Sequence, residues 1–270
     1  MAKKTVCYQD PLNDDFAANN LSSPEIPADF PFAVTNIFWR ILEFIVYWII
    51  GIPIIFLIGK IGFGLHIRNR KVLKKLKGTG FYLYANHTQE MMDAYSPHLA
   101  MFPRHDHIIV SAPAVSLPFV RKIVQFLGGI PIPSTAKGFP RFLGALSLRI
   151  REKRVVTIYP EAHIWPWYTG IRPFPATSFA YPVRDNVPVL AMVTTYRERK
   201  IFKKLWPCIT LTLSEPFFPD PAKDQRSAKQ DLRDKVYDFM CREVSRPDNY
   251  VYVEYVQTAD APAESSRNAS

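Results

Sequence analysis

The sequence predicts an α/β domain with a mostly parallel central sheet flanked by helices, preceded by an N-terminal membrane-associated helical segment. From residue 81 onward, short apolar runs alternate with longer amphipathic ones, as strands and helices do in such domains. A strongly apolar stretch precedes this pattern, and a basic cluster separates the two. With 270 residues, of which 48% are hydrophobic, the chain can bury a sizeable core.

Four regions follow from this pattern. Residues 1–36 are a polar leader that we expect to be irregular, and residues 37–65 are the membrane-associated helical segment. Residues 66–250 form the α/β domain, and residues 251–270 a flexible tail. The leader carries several acidic residues, which is unlike a secretory signal peptide.

The apolar segment carries no charge from Phe44 to Ile58, a run shorter than the ~20 residues that a straight membrane-spanning helix needs. Trp39, Tyr47 and Trp48 are residue types enriched at membrane interfaces. We therefore favour a membrane-embedded or re-entrant helix over a buried core helix. The pattern does not decide between a helix that spans the membrane and one that lies on a single leaflet.

A basic balance points to an anionic partner. The formal net charge is +10, and residues 66–78 hold six Lys or Arg and no acid. Beside an apolar segment, such a cluster favours anionic lipid headgroups and predicts that the domain lies on the cytoplasmic side. No nucleic-acid-binding module accompanies the charge, so we expect no nucleic acid partner.

The strands and helices were assigned from periodicity. The predicted strands are Phe81–Ala85, His107–Ser111, Gly129–Ile132, Arg154–Tyr159, Val187–Thr195 and Cys208–Leu213, and the predicted helices are residues 113–127, 139–153 and 224–245. Three widely spaced cysteines predict neither a disulfide framework nor a metal site. His105 and His107 have no third ligand at a suitable spacing, so we expect no metal.

Two strand ends carry ionisable residues, and the carboxyl ends of parallel strands are where ligands collect. His87 follows the first strand and Asp93 lies six positions further on, while Glu161 follows the strand that ends near Tyr159. An imidazole can take a proton from a hydroxyl, and a carboxylate can orient it. Glu90 is the alternative partner, because on a regular helix it would lie on the same side as His87.

These residues resemble a known family. Asn86-His87 with Asp93 is similar to the Asn-His-x4-Asp motif of the glycerolipid acyltransferases of the 1-acylglycerol-3-phosphate acyltransferase type, with one extra residue. Residues 159–162, Tyr-Pro-Glu-Ala, resemble the family's Phe-Pro-Glu-Gly. Residues 128–132 and 187–189 fall where two further motifs are expected, so the resemblance covers roughly residues 37–215.

The resemblance implies transfer of a fatty acyl chain from acyl-CoA or acyl carrier protein to a lysophospholipid hydroxyl, foremost 1-acylglycerol-3-phosphate, a step of phospholipid biosynthesis. It also implies that His87 is the general base, oriented by Asp93 or Glu90, and that Glu161 holds the acceptor. No metal or bound cofactor is expected. The family's phosphate-gripping arginine after the second motif is missing, and Lys137 or Arg141 could replace it. The arginine of the third motif is missing too, and Arg172 could replace it. The other residues expected to contact substrate are Asn86, Tyr159, Pro160 and His163.

Three alternatives stay open at this point. The acceptor could be a glycolipid or polyol, since the missing arginines bear on the phosphate rather than on acyl transfer. Water could replace the acceptor, which would make the protein a thioesterase or lipid hydrolase, although no Gly-x-Ser-x-Gly elbow is present. The third alternative is a non-catalytic protein that binds anionic lipid.

Overall fold

A seven-stranded sheet lies at the centre of this computed structural model, which describes residues 4–16, 25–115, 118–202 and 205–258. The strands are β1 (Lys4–Tyr8), β2 (His66–Arg68), β3 (Phe81–Ala85), β4 (Asp106–Val110), β5 (Gly129–Pro131), β6 (Val155–Ile158), β7 (Val189–Arg197), β8 (Cys208–Leu213) and β9 (Val253–Gln257). The order across the sheet is β2-β8-β7-β3-β6-β4-β5, and the neighbours are parallel except β7 with β8. The predicted α/β class with a mostly parallel sheet is confirmed.

Strand β3 lies in the middle of the sheet and is buried on both sides. Phe81, Leu83 and Ala85 belong to one apolar cluster, and Tyr82 and Tyr84 belong to the other. This alternation follows from the two-residue period of a strand. Because both faces need a cover, the sequence between the strands must supply helices to each side.

Besides short 3₁₀ helices, the described residues contain six helices. They are α1 (Ile37–Gly62), α2 (Ser96–Met101), α3 (Pro118–Phe126), α4 (Phe139–Arg151), α5 (Ala180–Asp185) and α6 (Gln225–Val244). Helices α1 and α2 cover one face, and α4, α5 and α6 cover the other. The predicted helices 139–153 and 224–245 match α4 and α6 within two residues. The helix predicted over residues 113–127 is shorter in the structure, where α3 begins at Pro118.

Helix α1 is the one helix of the described residues that is long and apolar enough to cross a membrane. The Asn36 side chain caps its first turn, and two segments of its 26 residues, Ile45–Gly51 and Ile58–Gly62, are π-helical. The helix nevertheless contacts the domain along its length, from Arg40 with Glu152 near its start to Gly59 against Leu99 near its end. One side of α1 is therefore packed, and the opposite side leaves large apolar residues exposed.

The two chain ends pair with each other, which the sequence did not predict. Strand β1 lies parallel to β9, in a separate two-stranded sheet. The expectation of an irregular leader over residues 1–36 is therefore wrong for Lys4–Tyr8, and that of a flexible tail over residues 251–270 is wrong for Val253–Gln257. The polar composition of the two segments gave no strand signal, because these strands form by pairing with residues far away in the sequence. Residues 259–270 lie outside the described residues.

The basic stretch of residues 66–78 forms β2 and a short 3₁₀ helix, Arg70–Leu76. Its apolar side chains Val72 and Leu76 are buried, and its charged side chains lie outside, where Lys75 pairs with Glu215 at 2.6 Å. The cluster is thus an amphipathic edge of the domain. Its contact with anionic lipid stays a prediction.

Candidate active site

The turn after β3 brings a histidine and an aspartate together. The Nδ1 atom of His87 lies 2.8 Å from Oδ2 of Asp93. The same oxygen accepts the backbone N–H groups of Thr88 and Gln89, each at 2.8 Å. The N–H of Asp93 in turn donates to the carbonyl of Gln89 at 3.1 Å. This tight turn absorbs the extra residue between His87 and Asp93 and returns the carboxylate to the imidazole.

The two acids that the sequence left open occupy different environments. The Asp93 side chain is 2% exposed and holds the imidazole. Glu90 is exposed at the rim of the adjacent groove. The structure therefore places Asp93, and not Glu90, within hydrogen-bonding distance of His87.

Tyr159, directly after the neighbouring strand β6, holds the imidazole in place. Its ring stacks on that of His87 with centroids 4.5 Å apart, and its hydroxyl donates to the Asp93 carbonyl at 2.6 Å. Burial raises the pKa of Tyr159 well above its usual value, so the hydroxyl stays a neutral donor. His87 is 24% exposed, and its Nε2 has no hydrogen-bond partner among the described residues. That nitrogen is the one available to a bound molecule.

Asn86 does not contact the groove. Its side chain is fully buried, its amide nitrogen donates to the Thr194 carbonyl at 3.1 Å, and its oxygen accepts the Thr194 N–H at 2.7 Å. The side chain thereby continues the pairing of β3 with β7 beyond the last strand residue. Both polar groups of Asn86 are occupied by backbone in this structure, and its contact with substrate stays a prediction.

Glu161 holds two loops rather than a ligand. One carboxylate oxygen accepts the His87 N–H at 2.9 Å, and the other accepts the Arg172 N–H at 3.0 Å. Burial raises the pKa of Glu161, while these two N–H groups and the Arg172 charge act in the opposite direction. The carboxylate is 4% exposed. It can position His87, but the predicted direct contact with the acceptor is not what this geometry offers.

Arg172 is buried behind the same loop. Its guanidinium donates to the backbone carbonyls of Asp14, Glu161 and His163, and the side chain is 1% exposed. The two Nη atoms are therefore engaged by backbone carbonyls, and the expectation that Arg172 replaces a family arginine stays a prediction. Sequence could not reveal these contacts, since the partners are carbonyls rather than side chains.

Replacing Glu161 by Gln should loosen the site. An amide offers one acceptor oxygen, so either the His87 or the Arg172 N–H would face an N–H₂ group in a buried position. We expect a loss of about 1–3 kcal/mol in the free energy of unfolding, measured by urea denaturation, with a lower turnover number. The exposed Glu198→Gln is the control. Unchanged stability of the Glu161 variant would contradict the clamping role.

The remaining predicted site residues lie outside the groove, apart from Pro160, which lines it. Lys137 and Arg141 are exposed, the latter next to the groove residue Phe142. His163 is part-exposed, and its Nδ1 lies 3.2 Å from the Asp15 carboxylate.

A groove of about 590 Å³ opens beside His87 at the carboxyl ends of β3, β4 and β6. Its lining residues are mostly apolar and include no Lys or Arg among the described residues: His87, Glu90, Asp93, Ala94, Ile108, Ile109, Val110, Ser111, Ile132, Phe142, Ile158, Tyr159, Pro160, Ala162, Pro175, Thr177, Ser178 and Tyr181. A smaller apolar cavity of about 130 Å³ shares Ala94, Ile108 and Val110 with it. The arrangement suits a long apolar ligand that ends near the imidazole.

Several hydrogen bonds that hold the His87 turn could not be predicted from the sequence. The backbone N–H groups of Trp165 and Trp167 donate to the carbonyls of His87 and Thr88 at 3.2 and 2.8 Å. The Tyr196 hydroxyl donates to the Thr88 carbonyl at 3.0 Å. Trp165 also packs against Tyr8 of β1 and stacks on Tyr255 of β9. The two-stranded sheet of the chain ends therefore backs the loop that holds the histidine.

A second group of buried ionisable residues lies under α1. Glu43, His105 and His107 could hold a metal by the proximity of their ligand atoms. However, the Nη1 atom of Arg154 lies within hydrogen-bonding distance of all three, at 3.0, 3.2 and 3.1 Å. Burial lowers the pKa of both imidazoles well below the usual value, aided by neighbouring positive charge. The guanidinium thus occupies the centre of the cluster and ties α1 to β4 and β6.

Fold and site together define a class: an α/β protein with a histidine–aspartate pair at a strand end, beside an apolar groove. The fold is similar to that of one solved acyltransferase. The chain is similar to the crystal structure of the 1-acyl-sn-glycerophosphate (LPA) acyltransferase PlsC from Thermotoga maritima, with a TM-score of 0.54 and 17% identity. The match covers 77% of this chain and 88% of that one. No family model and no curated protein matches the sequence.

Proposed function

We propose that this protein is an acyltransferase that moves a fatty acyl chain from a thioester to the hydroxyl of a lipid acceptor. The observation that carries the proposal is the His87–Asp93 pair, whose free imidazole nitrogen opens onto an apolar groove. The likeness of the fold to a known acyltransferase supports the same reaction class.

The chemistry follows from the two ring nitrogens of His87. Nε2 takes the proton of the acceptor hydroxyl as its oxygen attacks the thioester carbonyl carbon. Asp93, at Nδ1, stabilises the imidazolium that forms. The carbon–sulfur bond then breaks, and the thiolate recovers the proton from the imidazolium. The reaction needs no metal, bound cofactor or acyl-enzyme.

The acyl chain is proposed to lie in the groove, along Ile108, Val110 and Ile132. The adjoining apolar cavity extends this surface toward α3, where Val124 and Leu127 line it. Burial of each methylene contributes about 0.8 kcal/mol, so the chain supplies much of the binding free energy. Either acyl-CoA or acyl carrier protein can serve as the donor in this scheme.

We propose a lysophospholipid as acceptor, with 1-acylglycerol-3-phosphate first and phosphatidic acid as the product. The neighbour PlsC is described as an enzyme for that acceptor. Exposed Lys137 and Arg141 are the cations proposed to meet the phosphate. A glycolipid or polyol acceptor is the second candidate, because no Lys or Arg of the described residues lines the groove itself.

Membrane association is proposed to occur through α1. Its outer side exposes Phe38, Ile49 and Ile61, whereas the inner side is packed on the domain. A helix attached to the domain along its length fits the interface of one leaflet better than a span across both. The basic stretch that follows α1 supports a cytoplasmic location for the domain.

An acyl-transfer assay tests this function. Purified protein is offered radiolabelled acyl-CoA or acyl carrier protein, with 1-acylglycerol-3-phosphate, other lysophospholipids, or glycolipid acceptors, and with none. We expect acceptor-dependent formation of a labelled lipid. Release of free fatty acid at the same rate with and without acceptor would identify a thioesterase instead, and no turnover of any donor would refute the proposal.

A further inference from the structure

The hairpin between β7 and β8 carries a concentration of exposed apolar side chains. Ile201 and Phe202 are 72% and 73% exposed, and Leu205 and Trp206 are 44% and 38% exposed. Residues 203–204 lie outside the described residues. Single exposed apolar residues are common on protein surfaces, but a group of four on one loop is typical of an interaction site.

This group adjoins the end of α1. The Trp206 indole N–H donates to the Gly62 carbonyl at 2.9 Å, and its ring stacks on Phe63 with centroids 5.1 Å apart. The Arg199 guanidinium donates to the same carbonyl at 2.6 Å. Ile61, the last large side chain of α1, is 72% exposed beside them. The hairpin group therefore continues the outer apolar side of the helix.

Positive charge surrounds this surface. Lys60 and Lys200 are exposed, and Arg197 donates to the Gly64 carbonyl at 2.9 Å. Burial, followed by the charges of Arg197 and Lys60, lowers the pKa of the nearby His66. Glu198 is the acid within the hairpin, so the cations are in excess. Apolar and cationic side chains together match an anionic lipid surface.

The hairpin also lies at the end of the sheet where the parallel strands have their carboxyl ends, called here the carboxyl edge. Strand β7 runs parallel to β3, so the end of β7 and the end of β3 lie at the same edge. His87 follows β3 there, and the groove opens between the ends of the neighbouring strands. A membrane contact at this edge would bring the groove and the lipid surface together.

We propose that Ile201, Phe202, Leu205 and Trp206 insert into the interface of an anionic bilayer as a second anchor beside α1. Two anchors at different places fix the orientation of a domain, which one helix alone does not. The hairpin holds the carboxyl edge of the sheet toward the lipid, so a single-chain lipid passes from the bilayer into the groove without crossing water. This inference goes beyond the proposed reaction but rests on membrane association through α1.

The test compares two exposed phenylalanines in the full chain. Phe202→Ser removes an anchor residue. Phe218→Ser removes a side chain that is 58% exposed and follows Phe217, which pairs with Val189 at the start of β7, at the opposite edge. In co-sedimentation with phosphatidylglycerol-containing vesicles, Phe202→Ser should weaken binding about tenfold, and Phe218→Ser should leave it unchanged. Equal binding by the two variants would overturn the inference.

Two further experiments test the contribution of positive charge to vesicle binding and the insertion of Trp206 into the bilayer. Lys200→Gln should weaken binding to the anionic vesicles about fivefold and leave binding to phosphatidylcholine vesicles unchanged. Fluorescence of Trp206, taken as the difference from Trp206→Phe, should be quenched by brominated lipid chains. Absence of quenching would overturn insertion. Dissociation of a dimer by Phe202→Ser, seen by light scattering, would show that the hairpin meets a second copy of the chain instead.

The vesicle-binding result for the hairpin can be distinguished from the result for α1 and from a failure of acyl transfer. Ile49→Ser changes the outer side of α1 and should weaken vesicle binding on its own. If Ile49→Ser weakens binding and Phe202→Ser does not, the hairpin inference fails and the α1 anchor stands. Turnover of a water-soluble, short-chain acceptor should be normal in Phe202→Ser, because the residue lies outside the groove.

Discussion

Changing His87 to Ala should lower acyl transfer by about 10²–10⁴-fold, the range that a positioned general base contributes. Among the described residues that line the groove, the alanine removes the one imidazole, and the Asp93 side chain, although it borders the groove, is only 2% exposed. The measurement is steady-state turnover with saturating donor and acceptor. Vesicle binding should stay near normal, because His87 lies outside α1 and the β7–β8 hairpin.

A matched control separates catalysis from the loss of a histidine in general. His66 is exposed on β2 and does not line the groove, so His66→Ala should retain turnover. Circular dichroism and thermal unfolding of both variants establish that the sheet is intact. Substantial turnover in a well-folded His87→Ala variant would assign the proton transfer to another group and refute the proposed mechanism.

Changing Asp93 to Asn should lower turnover on the order of 10³-fold, whereas Glu90→Gln should stay close to the unchanged protein. The neutral amide cannot stabilise the imidazolium, and its N–H₂ group can present a donor to Nδ1 and reverse the tautomer of His87. Glu90 has no such contact. The two variants differ by the same charge, so their comparison isolates the hydrogen bond at 2.8 Å. A larger loss in Glu90→Gln would reverse the assignment.

Asp93→Asn should also affect folding, which the measurement must separate. The carboxylate oxygen accepts the Thr88 and Gln89 N–H groups, and a rotated amide would leave them facing a donor. We expect a loss of about 1–3 kcal/mol in the free energy of unfolding. Turnover is therefore measured well below the midpoint of thermal unfolding. A fall in turnover number at unchanged KM would place the effect in the chemical step.

The positions of the site elements could be predicted because they follow from local pattern. The apolar run of β3 ends in Asn86-His87, that of β6 ends before Tyr159, and both ends meet at one edge because the strands are parallel neighbours. The choice between Asp93 and Glu90 could not be made, since a regular helix favours Glu90. The backbone N–H groups of a tight turn, which no spacing encodes, bring Asp93 back instead.

The roles of buried polar residues were harder to predict. Asn86, Glu161 and Arg172 looked like ligand-binding residues by type, yet each satisfies backbone groups. A family motif cannot distinguish a side chain that touches substrate from one that holds a loop. Ala162 shows the same point, since its φ of 66° lies in the region that favours glycine. Glycine adopts this backbone conformation without strain, so a glycine in the motif that residues 159–162 resemble would meet a backbone requirement here.

The pairing of β1 with β9 has a consequence for the order in which the protein matures. Tyr8 and Tyr255 pack on Trp165, whose N–H holds the His87 carbonyl. During translation, β1 leaves the ribosome before the strands of the central sheet, and its partner β9 leaves after them. The nascent chain can therefore form the central sheet before β9 is available, but the turn that carries the imidazole gains its final support only after β9 has emerged.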